Sequence, residues 1–141
     1  MNNQQKISPK VNVPVWMSGF YCIFTVSMVP WILHLLHTIP VMRMGIHWQI
    51  MWGVFDGSLL VLSLAASYFL IKKSAWASLP LMSLATLFVV DMWFDSMMSV
   101  TNVEKFAVLK ITVAAEIPLT LLTAGSAIYL LHQLLTAKQQ K

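Results

Sequence analysis

The chain has 141 residues, of which 58% are apolar and only 10% charged, and its mean hydropathy is +0.73. A soluble domain carries roughly a quarter charged residues, so these figures exclude an ordinary water-soluble enzyme and any disordered or fibrous protein, and leave an integral membrane protein. The net charge of +4 rests on lysines that flank apolar runs (Lys6, Lys10, Lys72, Lys73, Lys138, Lys141), which is a topology pattern and not a nucleic-acid surface.

A transmembrane helix needs about 20 apolar residues. In chain order, a polar tail over 1–14 precedes four such runs, at 15–39, 50–71, 76–100 and 107–131, and a second polar tail covers 132–141. The connectors are short and leave no room for a second domain. The expected fold class is all-α: one integral membrane, up-and-down four-helix bundle. The first run is too long for the core of a cleaved signal peptide and lacks a small-x-small cleavage site, so it reads as a retained helix. The single cysteine, Cys22, excludes an intramolecular disulfide and a cysteine-based metal cluster.

Basic residues set direction. The lysines named above lie in the two tails and the second connector, whereas the first connector, the third and the start of the fourth run hold only Arg43, Lys105 and Lys110. The positive-inside rule then places both termini in the cytoplasm. Trp16 and Trp76 mark the inner interface, and Trp48 and Trp52 the outer one.

This topology collects polar residues in one half of the membrane. His34 and His37 lie near the outer end of the first helix, Asp56 about two turns into the second, Asp91 and Asp95 in the last turns of the third, and Glu116 two to three turns into the fourth. Each sits on a stripe at helical spacing. The stripes are Ser27, Trp31, His34 and Thr38; Trp52, Asp56, Ser63 and Ser67; Ser83, Asp91, Asp95 and Ser99; and Thr112, Glu116, Thr120 and Thr123. Lipid cannot solvate such stripes, so they should face one another. A charge near the bilayer centre costs about 2.5–3.5 kcal/mol on insertion scales, which makes an intramembrane carboxylate a functional candidate by default. Four together cannot all be bare and ionised, so some must be protonated or paired with His, Lys110, a bound cation or water. Polar glue between helices is the alternative. Glu104 reads as an ordinary loop charge.

The candidate ligand- or ion-binding residues are Asp91, Asp95, Glu116, Asp56 and His34, with aromatic walls from Trp31, Trp52 and Trp93. Asp91 stands first, as the deepest carboxylate. His34 and His37, three apart on one face, are also candidate metal ligands, although the Glu-x-x-His pairs of di-metal bundles are absent. His47 and His132 read as interfacial, and the ten methionines, including Met42 and Met44 beside Arg43, as packing or lipid-facing. Pro30 and Pro118 sit inside the first and fourth helices and free the carbonyls of Val26 and Ala114. Gly53 and Gly57 form a GxxxG around Asp56, suited to close backbone approach. No Walker loop, GxGxxG, GxSxG or HExxH occurs, and no cofactor is indicated.

The phrases WGVFD (52–56), DMWFD (91–95), EIP (116–118) and VPWILHLLHTIP (29–40) together resemble a group of small bacterial four-helix membrane proteins to which no activity is attached. The resemblance implies the fold and a bacterial inner membrane location, and transfers no role to any residue. Three functions are then expected to compete. One is a homo-oligomeric transport unit for protons, cations or a cationic solute. Another is an outward-facing pocket for a cationic or amphiphilic ligand, whose carboxylates would act as general acid and base if it is an enzyme on a lipid-like substrate. The third is an accessory subunit of a larger membrane complex. The lipid bilayer is the common partner, and nucleic acid is not one.

Overall fold

The computed structural model describes residues 10–38, 46–99 and 101–139. Arg43, Met42, Met44, Lys6 and Lys141 lie outside them, as do the side chains of Thr38, His47, Trp48 and Lys138. Helix α1 spans Val15–Thr38 and α2 Ile46–Ile71; a 3₁₀ turn at Ala75–Ala77 leads into α3, Ser78–Met98. Then α4 (Asn102–Ile111), a π turn (Thr112–Glu116) and α5 (Ile117–Gln139) run on as one rod. Four helical stretches are long and apolar enough to cross a membrane: Val15–His37, Ile50–Ile71, Ala75–Met98 and Asn102–Thr136. Their outward faces carry Val15, Ile23, Val26, Val61 and Leu121, all exposed, as lipid contact requires. No strand occurs among the described residues, only an isolated bridge between Lys10 and Ser74.

The spans match the sequence pattern in number and kind, and the ends differ where local chemistry acts. The last rod begins at Asn102, not 107, because Thr101 and Glu104 form a capping box. The Thr101 hydroxyl accepts from the Glu104 amide (3.2 Å), and the Glu104 carboxylate accepts from the Thr101 amide (3.0 Å). At its other end the rod continues to Gln139, so the polar stretch expected as a tail is largely helical. At the end of α2, Lys73 takes a positive φ of 52°. The Ser74 amide donates to the Phe69 carbonyl (2.9 Å) and the Lys73 amide to that of Leu70 (3.0 Å), a Schellman closure that turns the chain within three residues.

Nor do the last residues of the N-terminal stretch hang free. The Val11 amide donates to the Lys73 carbonyl (2.9 Å), and Asn12 exchanges two bonds with the Gln133 side chain (2.7 and 3.0 Å). Val11 and Val13 are buried. This segment thus staples α2 and α5 together at the end of the bundle that carries both termini.

Packing follows chain order: α1 lies on α2, α2 on α3 and α3 on α5, while α4 leans on α3. Helices α1 and α5 bound this arc and do not pack along their length. Their link lies toward the termini, where the buried Tyr21 hydroxyl donates to Ser126 (3.3 Å). Beside it, Thr25 and Ser67 join α1 to α2 (3.1 Å). Above these bonds Phe24, Ser27 and Met28 of α1 and Leu119 of α5 line a common cavity.

The GxxxG is used by half. A Cβ at Gly53 would meet Leu36 of α1 at 3.3 Å, whereas one at Gly57 meets nothing within 4 Å. Gly57→Ala should therefore stabilise the protein by up to about 1 kcal/mol, the helix-propensity difference. Gly53→Ala should gain less, because Leu36 has to move. Thermal unfolding of both variants in detergent checks the order; a larger gain at Gly53 would contradict close α1/α2 packing there.

Candidate functional site

The end of the bundle away from the termini holds a cavity of about 370 Å³. Its lining includes Asp56 from α2, Asp91 and Asp95 from α3, Glu104 from α4 and Glu116 from the π turn, which together are every acidic residue in the chain. No Lys, Arg or His lies among the described residues of its lining. Trp31 and Leu35 of α1, Trp52 of α2 and Val108 and Ile111 of α4 complete much of the wall. The four deeper carboxylates are close enough to repel one another. Their convergence is what the stripes on α2, α3 and the last rod predict for an up-and-down bundle.

Glu104 is the correction. It is no ordinary loop charge, because the capping box starts the helix early and turns this residue onto the cavity rim. The signal for it was present as T-x-x-E at 101–104.

Asp56 is the most confined of the set, 3% exposed. The Trp31 indole N–H donates to its carboxylate across the α1/α2 interface. Its Oδ2 is the one fully buried side-chain oxygen or nitrogen among the described residues that has no hydrogen-bond partner. A buried acceptor left unmade costs about 1–3 kcal/mol, more when charged, so this oxygen marks a place where a donor belongs.

Glu116 is also buried, at 8% exposed, and the π turn explains why. The inward residues of the last rod run 104, 108, 111 and then 116, 119, 123, a step of five across the turn. In an α-helix five residues end about 140° from where they began. A turn closed by i→i+5 bonds brings them nearly full circle, and the Ile117 amide does donate to the Thr112 carbonyl. Pro118 follows with no N–H to give to Ala114 or Val113, so the α register is not enforced at this point. The Glu116 carboxylate accepts from the Thr112 hydroxyl (2.7 Å), and its carbonyl from the Thr120 hydroxyl (2.7 Å).

Other expected residues stand apart. His34 and His37 are exposed and line no part of this cavity; the Trp31 ring lies 6.3 Å from that of His34, centroid to centroid. On α1 the inward series is Phe24, Met28, Trp31 and Leu35, which leaves both histidines on its flank. No group of three His, Cys, Asp or Glu among the described residues is placed to hold a metal ion, so His34 and His37 gain no third such ligand among them. Trp93 is 58% exposed and backs the wall from outside, with its ring 5.1 Å from that of Phe94, which in turn meets Trp52 at 6.5 Å. Ser83 and Ser27 are exposed, Ser27 at the edge of a second cavity.

A second cavity, of about 420 Å³, shares Trp31, Asp56, Asp91, Ile111 and Glu116 with the first. Its remaining walls are mainly apolar: Phe24 and Met28 of α1, Leu59 of α2, Phe88 of α3, and Ala115 and Leu119 on the rod. Three carboxylates thus stand on the boundary between an acidic chamber and an apolar one. Beyond them toward the termini, Ser63, Thr123, Thr25, Ser67, Tyr21 and Ser126 form a buried series of hydroxyls. The stripes on α2 and the last rod announced Ser63, Ser67 and Thr123. Tyr21, Thr25 and Ser126 are single hydroxyls in apolar runs and gave no sign. Comparison with known proteins adds no name to this arrangement: no family model, curated protein or solved structure matches the chain.

Proposed function

We propose that the protein is a multi-pass membrane protein that binds a cation in the acidic chamber, as a binding or transport unit of a bacterial inner membrane with the chamber facing outward. The observation that carries this reading is the gathering of every acidic side chain around one cavity with no basic residue among the described residues of its lining, one of them holding a buried oxygen without a partner. A protein of net charge +4 that concentrates all its negative charge in one concave place offers a cation its single favourable address. The outward orientation rests on the distribution of lysines, and the bacterial location on the resemblance of the WGVFD, DMWFD and EIP phrases.

The buried hydroxyls beyond the carboxylates favour a second reading, in which the chamber is the outer half of a proton or cation path. Proteoliposomes separate the two. If the path exists, an imposed gradient dissipates faster with wild type than with Asp91→Asn, by about ten-fold or more, as loss of a charged intramembrane relay implies. Identical flux in the two, with cation binding retained, would leave a binding protein and remove the transport reading.

A further inference from the structure

The cation has to be of a particular kind. The carboxylates are spread around the chamber, and no three of the described acidic or histidine groups converge on a point that would hold a metal ion. Hard metal cations take six or more oxygens at short range. Asp56 borders both cavities, and turning its carboxylate would bring the partnerless Oδ2, closed off as it stands, to an N–H or O–H donor in the chamber, which a protonated amine supplies and a quaternary ammonium does not. The same carboxylates also border the apolar cavity, and that cavity lies between α1 and α5, whose backbones approach closely at few points or none. Its rim there is made of Ser27 and Ala115, both small and both exposed, on faces that the hydropathy of these helices assigns to lipid.

We infer that the ligand is an amphiphile with a protonated amine head and a hydrocarbon chain, and that it enters sideways from the bilayer through the α1/α5 seam. The head lies against Asp56, Asp91 and Glu116, and the chain lies between Phe24, Met28 and Leu119. Lipid is as apolar as this cavity, so the chain gains little by the transfer. Selectivity comes from the head, which exchanges a hydrated interface for carboxylates in a confined site. This inference rests on the cation-binding reading and adds the ligand class and its route.

The test compares a chain-labelled nitroxide octadecylamine with the octadecanol bearing the same label. Both are placed in phosphatidylcholine vesicles with the intact protein at neutral pH, and the motionally restricted fraction is read by electron paramagnetic resonance. The amine should be restricted in excess over the alcohol by about five-fold or more, the least expected of one ion pair formed out of water. Because the protein as a whole is positive, general attraction cannot produce that excess. Free butylamine should abolish it in wild type, and Ala115→Trp, which blocks the rim, should remove it. Equal restriction of amine and alcohol in wild type overturns the inference. So does a dimer on size exclusion in which a second copy fills the seam and no amine is restricted. Calorimetry with butylamine then separates the failures. Butylamine binding that is lost in Asp56→Asn leaves the cation site standing without the lateral route, and no butylamine binding in wild type removes both.

Discussion

Asp56→Asn should weaken butylamine binding by more than about 100-fold, because removing one partner of a buried charged pair costs about 3–5 kcal/mol. The same variant, without ligand, should unfold at the wild-type temperature or above it. The amide retains an oxygen for the Trp31 indole N–H, and a neutral group replaces a carboxylate whose second oxygen is buried and partnerless. Binding and stability then move in opposite directions, a signature of strain kept for a ligand and not for the fold. Calorimetry and thermal unfolding in the same detergent read both quantities. A variant that unfolds well below wild type would assign Asp56 to structure, and one that binds as wild type does would remove it from the site.

Pro118→Ala should show the same opposition from a different cause. Alanine restores an N–H and relieves the clash of the proline ring with the preceding turn, and proline in a helix interior costs about 3 kcal/mol relative to alanine. The α register can then compete with the π turn at Thr112–Glu116. In that register the step of five between Ile111 and Glu116 would carry the carboxylate away from the face that α4 presents to the chamber. The variant should be more stable and should bind butylamine about ten-fold or more weakly, the loss of one charge-assisted hydrogen bond being worth about 1.5–3 kcal/mol. Glu116→Gln gives the size of the carboxylate's contribution without touching the backbone. Weakening in Glu116→Gln but not in Pro118→Ala would show that the π turn persists without the proline.

Much of this architecture is legible in the sequence because lipid permits few solutions. Long apolar runs with short connectors can only be antiparallel neighbours, so the intramembrane carboxylates at matching depths were bound to meet. Asp56, Asp91, Asp95 and Glu116 line one chamber for that reason. Depth and spacing do not fix rotation, however. His34 shares the turn of Trp31 but falls on the flank of α1, and nothing in a three-residue spacing says which of two neighbours faces in. The position of Glu104 depends on a capping box that moves a helix start by five residues, which a hydropathy window does not register. The π turn is the hardest to foresee. Pro118 suggests a broken ladder, but only the inward series on both sides shows that one extra residue is being absorbed.

The staple formed by Val11 and Asn12 has a mechanical consequence. It ties the N-terminal segment to Lys73 and Gln133, while α1 packs chiefly on α2, with Phe24 against Phe88 of α3 at 5.8 Å between ring centroids. With the pin at this end, the opposite tip of α1 is the part that a small tilt of the helix would displace most. Helix α1 has 24 residues, a lever of about 36 Å at 1.5 Å per residue, so a swing of roughly 5° at the pin moves its tip by about 3 Å. The proposed entrance at Ser27 lies about halfway along that lever, where the same swing gives about half the displacement, so a small tilt of α1 would change the width of the entrance without disturbing the packing near the pin.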